Sequence, residues 1–98
     1  MTLPVVLRSE AQLDVQSARD WYEGQRMELG EEFVAVVDET FAQISNSPEL
    51  YSVALRNVRR AKLRKIPYVA YYRILADRIE VLGVLHGRRS PKVWRDRV

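Results

Sequence analysis

The pattern of apolar and polar positions predicts a short N-terminal strand followed by a helix. Residues Leu3 to Arg8 form an apolar run rich in β-branched side chains, which favours a strand, and Pro4 belongs at its start or on an edge. Ser9 followed by Gln12 matches a capping box, so the first helix should begin there. Apolar residues then recur at steps of three and four as far as Gly30, which we expect to end the helix.

A second helix is predicted to begin at Glu31 and Glu32, whose negative charges suit the first turn of a helix. One face of this helix carries large apolar side chains, namely Phe33, Val37, Phe41 and Ile44. The helix should end before Pro48, because the residue that precedes a proline disfavours helical backbone. With only one or two residues between them, the two helices are expected to form an antiparallel hairpin.

The second half of the chain changes to the two-residue period of β-strands. Residues Val58 to Ile66 alternate basic with apolar side chains, and Tyr68 to Leu75 and Ile79 to His86 are dense in aromatic and β-branched residues. Tyr51 to Arg56 is interpreted as a connection, and Arg88 to Val98 as a basic tail with one helical turn. The predicted fold class is α+β, with the order β-α-α-β-β-β and the helical hairpin packed on one face of an antiparallel sheet.

The last two strands are apolar on both faces. In the strand Tyr68 to Leu75, we expect Val69 and Tyr71 on one face and Ala70, Tyr72 and Ile74 on the other. In the strand Ile79 to His86, we expect Ile79, Val81 and Leu85 on one face and Leu82 and Val84 on the other. Strands of this kind are normally buried on both faces, whereas one hairpin covers only one. Two covers for the second face remain open: another chain, or the tail through Val93 and Trp94.

Charge is divided unequally along the chain. Residues 1–50 contain three arginines against ten acidic residues, whereas residues 51–98 contain thirteen lysines or arginines against three acidic residues. The whole chain has a formal net charge of +3. This division predicts a basic sheet beside an acidic helical layer, and it indicates an anionic partner for the sheet.

Size and composition exclude several classes of function. The 98 residues, 1–98, suit one domain with one core. Cysteine is absent, which excludes disulfides and thiolate chemistry, and a single histidine argues against a histidine metal site, so no cofactor and no metal are expected. The apolar runs are too short to span a bilayer and the first residues lack the pattern of a signal peptide, so we expect a cytoplasmic protein with no membrane contact.

Several short motifs occur in an order that resembles the RelE/ParE family of bacterial toxins. These motifs are Trp21-Tyr22, Leu29-Gly30-Glu31-Glu32-Phe33, Ser47-Pro48, Val58-Arg59-Arg60, Ile66-Pro67-Tyr68 and His86-Gly87-Arg88-Arg89-Ser90-Pro91. The resemblance extends from Val5 to Arg97, and the long helical hairpin is closer to the ParE branch. It implies the toxin of a type II toxin–antitoxin module, held inactive in a hetero-oligomer by a cognate antitoxin.

The resemblance also implies the nature of that antitoxin: an acidic, ParD-like protein whose tail folds as it binds. The family's complexes bind operator DNA mainly through the antitoxin, so contact of this chain with DNA in such a complex is indirect. We expect an amphipathic segment to place its apolar side on the strands and its carboxylates against arginines. The residues predicted to bind the antitoxin are Arg59, Arg60, Arg64, Tyr72, Arg73, Leu82 and Val84.

Two targets follow from the resemblance, DNA gyrase for ParE-like members and mRNA on the ribosome for RelE-like ribonucleases. Cleavage through the 2′-OH needs a base, an acid and cations on the phosphate, and the candidates are His86, Arg64, Lys62 and Arg88. The basic strand carries no carboxylate and no tyrosine follows Tyr72, so binding of gyrase without a catalytic centre is preferred. The residues predicted to contact the target are Arg88, Arg89, Trp94, Arg95 and Arg97.

Some of these residues have a plainer structural interpretation. Trp21 and Tyr22 are predicted to lie in the core. His86 has a second interpretation, in which it caps the edge of the sheet by donating to a backbone carbonyl. Tyr71 and Tyr72 beside arginines would also suit a plain RNA-binding sheet, but no signature of an RNA-binding module accompanies them.

Overall fold

The computed structural model describes residues 2–98 and confirms the predicted α+β fold with a helical hairpin on one face of a sheet. Its elements in chain order are β1 (Val5–Leu7), α1 (Ser9–Gln25), α2 (Leu29–Asn46), β2 (Val53–Leu55), β3 (Val58–Lys62), β4 (Tyr68–Ile74), β5 (Ile79–His86) and α3 (Pro91–Arg95). The strand order in the sheet is β1-β5-β4-β3-β2. All neighbours are antiparallel except β1, which pairs parallel with β5.

The sheet has one more strand than predicted. The segment interpreted as a connection, Tyr51 to Arg56, contains β2, which pairs with β3 at the edge of the sheet. This strand has only three residues, and its register with β3 is irregular next to Arg56, whose φ is 51°. A strand so short shows no measurable two-residue period, so the sequence pattern did not reveal it.

Both ends of α1 differ from the prediction, and α2 begins at Leu29 instead of Glu31 because a side chain within α1 caps it. Ser9 is not an N-cap: Arg8 holds that position, and α1 ends at Gln25 instead of Gly30. The Glu23 carboxylate accepts hydrogen bonds from the backbone N–H groups of Glu28, at 3.1 Å, and of Gly30, at 3.0 Å. These bonds satisfy free donors at the start of α2 and lower the pKa of Glu23.

Gly30 is needed for helix packing and not for ending a helix. It lies inside α2, where a β-carbon would stand 2.8 Å from the backbone oxygen of Arg19 in α1. Only a residue without a side chain permits the two helices to approach this closely. The turn between the helices is made instead by Glu28, which adopts a left-handed backbone with a φ of 72°.

The main core lies between the helical hairpin and one face of the sheet, called here the helix face. Its buried side chains are Ala11, Ala18, Phe33, Val37, Ile44, Ala61, Leu63, Ala70, Tyr72, Ile79, Val81 and Val84. Tyr72 is fully buried, and its hydroxyl donates a hydrogen bond of 2.5 Å to the backbone oxygen of Pro48. Burial raises the pKa of Tyr72 to about 12.

A β-bulge reverses the predicted faces of β5 beyond its midpoint. Tyr71 pairs with Gly83, but the next residue, Tyr72, pairs with Val81, so β5 carries an extra residue there. As a result Val84 packs with the main core and Leu85 lies on the opposite face, contrary to the strict alternation predicted from the sequence. The predicted faces of β4 are confirmed.

The second face of the sheet, called here the tail face, is covered by the chain's own C-terminal segment. Its buried cluster consists of Val58, Val69, Tyr71, Leu82, Leu85 and Trp94. The rings of Tyr71 and Trp94 stack with centres 4.8 Å apart and planes 15° apart. Of the two predicted covers, the tail is therefore correct, and the expectation that this face needs another chain is wrong.

Among residues 2–98, no helix has the length and hydropathy that crossing a membrane requires.

Candidate functional site

The C-terminal segment is fixed to the sheet by an ion pair between two residues distant in sequence. The Arg97 guanidinium bonds both carboxylate oxygens of Asp14, at 2.6 Å and 3.2 Å, and donates to the backbone oxygen of Leu82 at 3.1 Å. The Val84 N–H donates to the same carboxylate at 3.0 Å. The hydrogen bond to Asp14 raises the pKa of Arg97 further above neutrality.

This ion pair sits over the bulge of β5, where only glycine fits. A β-carbon on Gly83 would stand 2.7 Å from Arg97 Nη1 and 3.1 Å from Asp14 Oδ2. Both charged side chains are largely buried, with 16% and 13% exposed. Arg97, predicted to contact a target, is therefore a structural residue that holds α3 in place.

Three arginines surround a cavity on the tail face, and we call this cavity the arginine groove. Arg60 on β3, Arg89 in the turn after β5 and Arg95 on α3 line a volume of about 360 Å³. Its floor includes the Tyr71–Trp94 stack, and the Arg95 guanidinium lies 5.6 Å from the centre of the Trp94 ring. No carboxylate lines the groove.

The arginines of the groove differ from most other arginines in having no acidic partner. Elsewhere Arg64 pairs with Glu39 at 3.2 Å, and Arg73 pairs with Glu80 at 2.8 Å. Within residues 2–98, Arg60, Arg89 and Arg95 take part in none of the ion pairs. The groove therefore presents three arginines without an ion-pair partner, one on the sheet, one in a turn and one on α3.

A second cavity, called here the apolar cleft, lies on the helix face between α2 and the β3–β4 turn. Its volume is about 490 Å³, and its lining residues are Tyr22, Leu29, Glu32, Phe33, Val36, Arg64, Lys65, Ile66 and Pro67. Tyr22 stacks on Phe33 with ring centres 5.2 Å apart, which gives the cleft a rigid aromatic wall. Two cations, Arg64 and Lys65, stand at its rim and are exposed to solvent.

An aromatic cleft adjoins the apolar cleft and contains His86. Trp21, Tyr22, Pro67, Tyr68 and His86 line its volume of about 340 Å³. The His86 ring meets Tyr68 edge to face at 5.4 Å, and its Nδ1 accepts a hydrogen bond of 3.1 Å from the Arg88 backbone N–H. Trp21, predicted to be core, is 59% exposed here, whereas Tyr22 is half-buried as a wall of both clefts.

The four ribonuclease candidates do not meet at one site. His86 faces the helices, and Arg64 is held toward α2 by Glu39. Lys62 lies on the tail face, because it alternates in β3 with Ala61, which packs in the main core. Arg88 lies in the exposed turn after β5. The structure thus distributes the proposed acid, base and cations over both faces of the sheet.

Three residues predicted to bind the antitoxin have no exposed surface. Tyr72, Leu82 and Val84 are buried by the chain itself, at 0%, 0% and 1% exposure. Arg59 is engaged internally, because it donates to the backbone oxygens of Glu49 and Tyr51. Arg60 of that predicted set is exposed and free of acidic partners, although it lies in the arginine groove.

The structure unites residues that the sequence analysis had assigned to two different surfaces. Arg60, assigned to antitoxin binding, lies with Arg89 and Arg95, assigned to target contact, around one cavity. Trp94 of the target set is 4% exposed and serves as part of the floor. Sequence reasoning missed Asp14 entirely, since its partner Arg97 is 83 residues away and no local pattern links them.

Among residues 2–98 no group of three or more histidine, cysteine, aspartate or glutamate side chains is arranged to hold a metal ion.

Comparison with protein families gives one match over most of the chain. A family model described as "ParE toxin of type II toxin-antitoxin system, parDE" matches residues 5–91. No curated protein sequence matches the chain significantly. The family match rests on the sequence, and it covers both helices of the hairpin and all five strands.

Two solved structures of similar fold are chains from toxin–antitoxin systems. A chain of the chromosomal ParDE system from P. aeruginosa superposes with a TM-score of 0.65 and 16% identity, over 87% of this chain and 96% of that one. A chain of the RelBE2 toxin–antitoxin complex from Mycobacterium tuberculosis superposes with a TM-score of 0.62 and 21% identity, over 88% of this chain and 99% of that one. Identities this low show a common fold.

Proposed function

The chain belongs to the ParE family of toxins from type II toxin–antitoxin systems, and on this basis we propose that it inhibits DNA gyrase by binding it in the bacterial cytoplasm. In this proposal it has no catalytic centre of its own, and a cognate antitoxin holds it inactive. The observation that carries the proposal is the separation of His86 and Lys62 on opposite faces of the sheet. A ribonuclease needs its general base and its general acid both within hydrogen-bond reach of one scissile phosphodiester, which they flank.

The chemistry of the arginine groove supports binding without catalysis. Guanidinium groups stabilise an anion but cannot be deprotonated at physiological pH, so they do not act as general bases. The groove is lined by three arginines and contains no carboxylate and no histidine. Such a surface holds a negatively charged partner and leaves its covalent bonds intact.

The experiment that tests this proposal compares two assays with the purified chain. In the first, gyrase supercoils a relaxed plasmid, and we expect the chain to inhibit the reaction. In the second, ribosomes are programmed with an mRNA, and we expect the mRNA to stay intact. Cleavage of the mRNA without inhibition of gyrase would establish the ribonuclease alternative and overturn the proposal.

Single variants test in growing cells whether the chain acts by cleavage or by binding. We expect His86→Ala and Lys62→Ala to arrest growth as strongly as the parent chain, within about a factor of three, since neither residue has a catalytic task. Loss of growth arrest in either variant, with folding and antitoxin binding intact, would favour cleavage. Growth is followed after induction from a titratable promoter.

The apolar cleft supports the second part of the proposal, the cognate antitoxin. Its aromatic wall of Tyr22 and Phe33 suits the apolar side of an amphipathic segment, and the exposed rim cation Lys65 suits acidic residues on that segment. On the tail face, α3 covers the buried apolar cluster. We therefore place the main antitoxin contact on the helix face, with operator DNA reached only through the antitoxin.

A charge reversal at the rim of the apolar cleft tests this placement. We expect Lys65→Glu to weaken antitoxin binding about tenfold or more, because it would put like charges in contact. Arg56→Glu is a matched control, since Arg56 is also an exposed cation in a turn with left-handed backbone, φ 51° against 61° for Lys65. Isothermal titration measures the affinity of each variant for the antitoxin, and equal losses of affinity would contradict the placement of the antitoxin on the helix face.

A further inference from the structure

The arginine groove has the charge of an anion-binding site, and the two large aromatic side chains of its floor are buried. Arg60, Arg89 and Arg95 converge on it from β3, the turn after β5 and α3, and none has an acidic partner within residues 2–98. Lys62 extends the positive charge along the same face of β3. Guanidinium groups that converge from three elements without an acidic partner attract an anion with several charges.

The floor of the groove decides which kind of anion fits. Tyr71 and Trp94 stack on each other and are only 6% and 4% exposed, so they have no free ring face for a base or an apolar side chain. Protein partners anchor through large side chains that fill pockets, and this floor is closed to them. A phosphate backbone needs cations at intervals and no such pocket.

Comparison with the apolar cleft also favours an anion as the partner of the arginine groove. The cleft on the helix face offers Leu29, Phe33 and Ile66 to an apolar partner, whereas the groove on the tail face adds three arginines to a lining of small or buried apolar residues. The two surfaces lie on opposite sides of the sheet and differ in chemistry. They therefore suit different partners, a peptide segment on the helix face and a polyanion on the tail face.

We infer that the arginine groove binds the phosphodiester backbone of a nucleic acid, through charge and without reading the bases. The contact is independent of sequence because the buried aromatic floor cannot stack with a base. The inference does not depend on gyrase as the target, since it rests on the groove alone. DNA and RNA share this backbone chemistry, and the experiment distinguishes them.

The test measures binding of the full chain to fluorescein-labelled 20-nucleotide probes by anisotropy, over a range of salt concentrations. The probes are duplex DNA, single-stranded DNA and single-stranded RNA, each in two unrelated sequences. We expect the triple variant R60Q/R89Q/R95Q to bind at least about tenfold more weakly and to lower the slope of log K against log salt by about 2 to 3 on duplex DNA. The two sequences of each probe should bind alike.

A charge-matched control separates the groove from net charge. R19Q/R26Q/R78Q also removes three arginines and lowers the formal net charge from +3 to 0, but these residues lie outside the groove, beside Asp20, Glu32 and Asp77. We expect this control to bind within about threefold of the parent chain and to keep its salt slope. A loss equal to that of the groove variant would overturn the inference.

Two further measurements keep the inference open to disproof. A polyglutamate peptide of equal charge should bind at least about tenfold more weakly than duplex DNA; binding as tight as that of the nucleic acid would overturn the inference in favour of an acidic protein partner. If the triple variant fails to fold by circular dichroism, Arg60→Gln alone decides, because Arg60 is exposed on the sheet and makes no ion pair. A preference for DNA or for RNA would support the inference and identify the source of the backbone.

Discussion

The two tryptophans of this chain lie in opposite environments, although the sequence gives both an apolar context. Trp94 is 4% exposed and stacks on Tyr71, whereas Trp21 is 59% exposed beside the aromatic cleft. Helical periodicity placed Trp21 near the core because it lies next to Tyr22, yet only Tyr22 points inward. A one-residue step along a helix turns the side chain by about 100°, and the sequence alone does not define the width of the buried face.

The tryptophans provide a matched pair of variants. We expect Trp94→Ala to lower the free energy of unfolding by about 3–5 kcal/mol, because it removes a buried aromatic ring and leaves a cavity on the tail face. Trp21→Ala should cost less than about 1 kcal/mol, since most of its ring is already in water. Urea denaturation followed by circular dichroism measures the free energy of unfolding of both variants. Equal losses would contradict the closed tail face.

Tyr72 predicts a dependence of stability on alkaline pH. Its pKa in the folded protein is raised to about 12 by burial, against an ordinary value of 10.0. The raised value means that the folded state holds the phenol proton more tightly, so stability is fully present below pH 10 and is lost as the pH rises from 10 to 12. Two pKa units correspond to about 2–3 kcal/mol.

Tyr72→Phe should remove that pH dependence. At pH 7 we expect the variant to be less stable by about 1 kcal/mol, because the Pro48 carbonyl loses its hydrogen bond. Between pH 10 and 12 the variant should lose less stability than the parent chain, so the two curves converge or cross. Urea denaturation at each pH provides the curves, and parallel curves would contradict the assigned cause.

At the scale of elements, the contact between α1 and α2 depends on one glycine. We expect Gly30→Ala to destabilise the fold by about 1–3 kcal/mol, because its methyl group would meet the backbone of Arg19 at 2.8 Å and force the helices apart. Gly24→Ala is the control: Gly24 is also helical, but nothing lies within 4 Å of an added β-carbon, so alanine should stabilise α1 by about 0.5–1 kcal/mol. Changes in thermal midpoint of the same sign would contradict this explanation.

The elements that could be predicted are those whose pattern is long. The helical period of α2 and the aromatic density of β4 extend over enough residues to define their type and their faces. Three features could not be predicted from the pattern. The strand β2 has only three residues, and the bulge near Gly83 is set by pairing across strands. Glu23 caps a helix other than its own. The bulge depends on pairing between strands, which no local pattern contains, whereas Glu23 lies only five and seven residues from the N–H groups it caps.

The sequence predicted the charged residues of the candidate site, but not that they lie around one cavity. The sequence identified Arg60, Arg89 and Arg95 as basic surface residues, since the acidic residues lie mostly in the first half of the chain. It could not assign them to one groove, because that depends on α3 folding back over the tail face. The ion pair between Asp14 and Arg97 that fixes this arrangement joins residues 83 positions apart.

At the scale of the whole molecule, closure of both faces of the sheet predicts a chain that folds without a partner. We expect the purified chain to unfold in one cooperative thermal transition and to bind little of a hydrophobic dye at neutral pH, because Trp94 completes the second core. The antitoxin should raise the thermal midpoint of the chain by an amount set by the antitoxin's concentration and its affinity for the folded state. A broad transition of the lone chain, with strong dye binding, would show that the tail face is open in solution.

Besides pairing in the sheet, β1 determines when the sheet can be completed during synthesis of the chain. This strand near the start of the chain pairs with β5, from Val5 with Ile79 to Leu7 with Val81. During synthesis on the ribosome the hairpin of α1 and α2 emerges early, but β1 must wait for more than seventy further residues before its neighbour exists. The nascent chain therefore completes this edge of its sheet only after β5 has been synthesised.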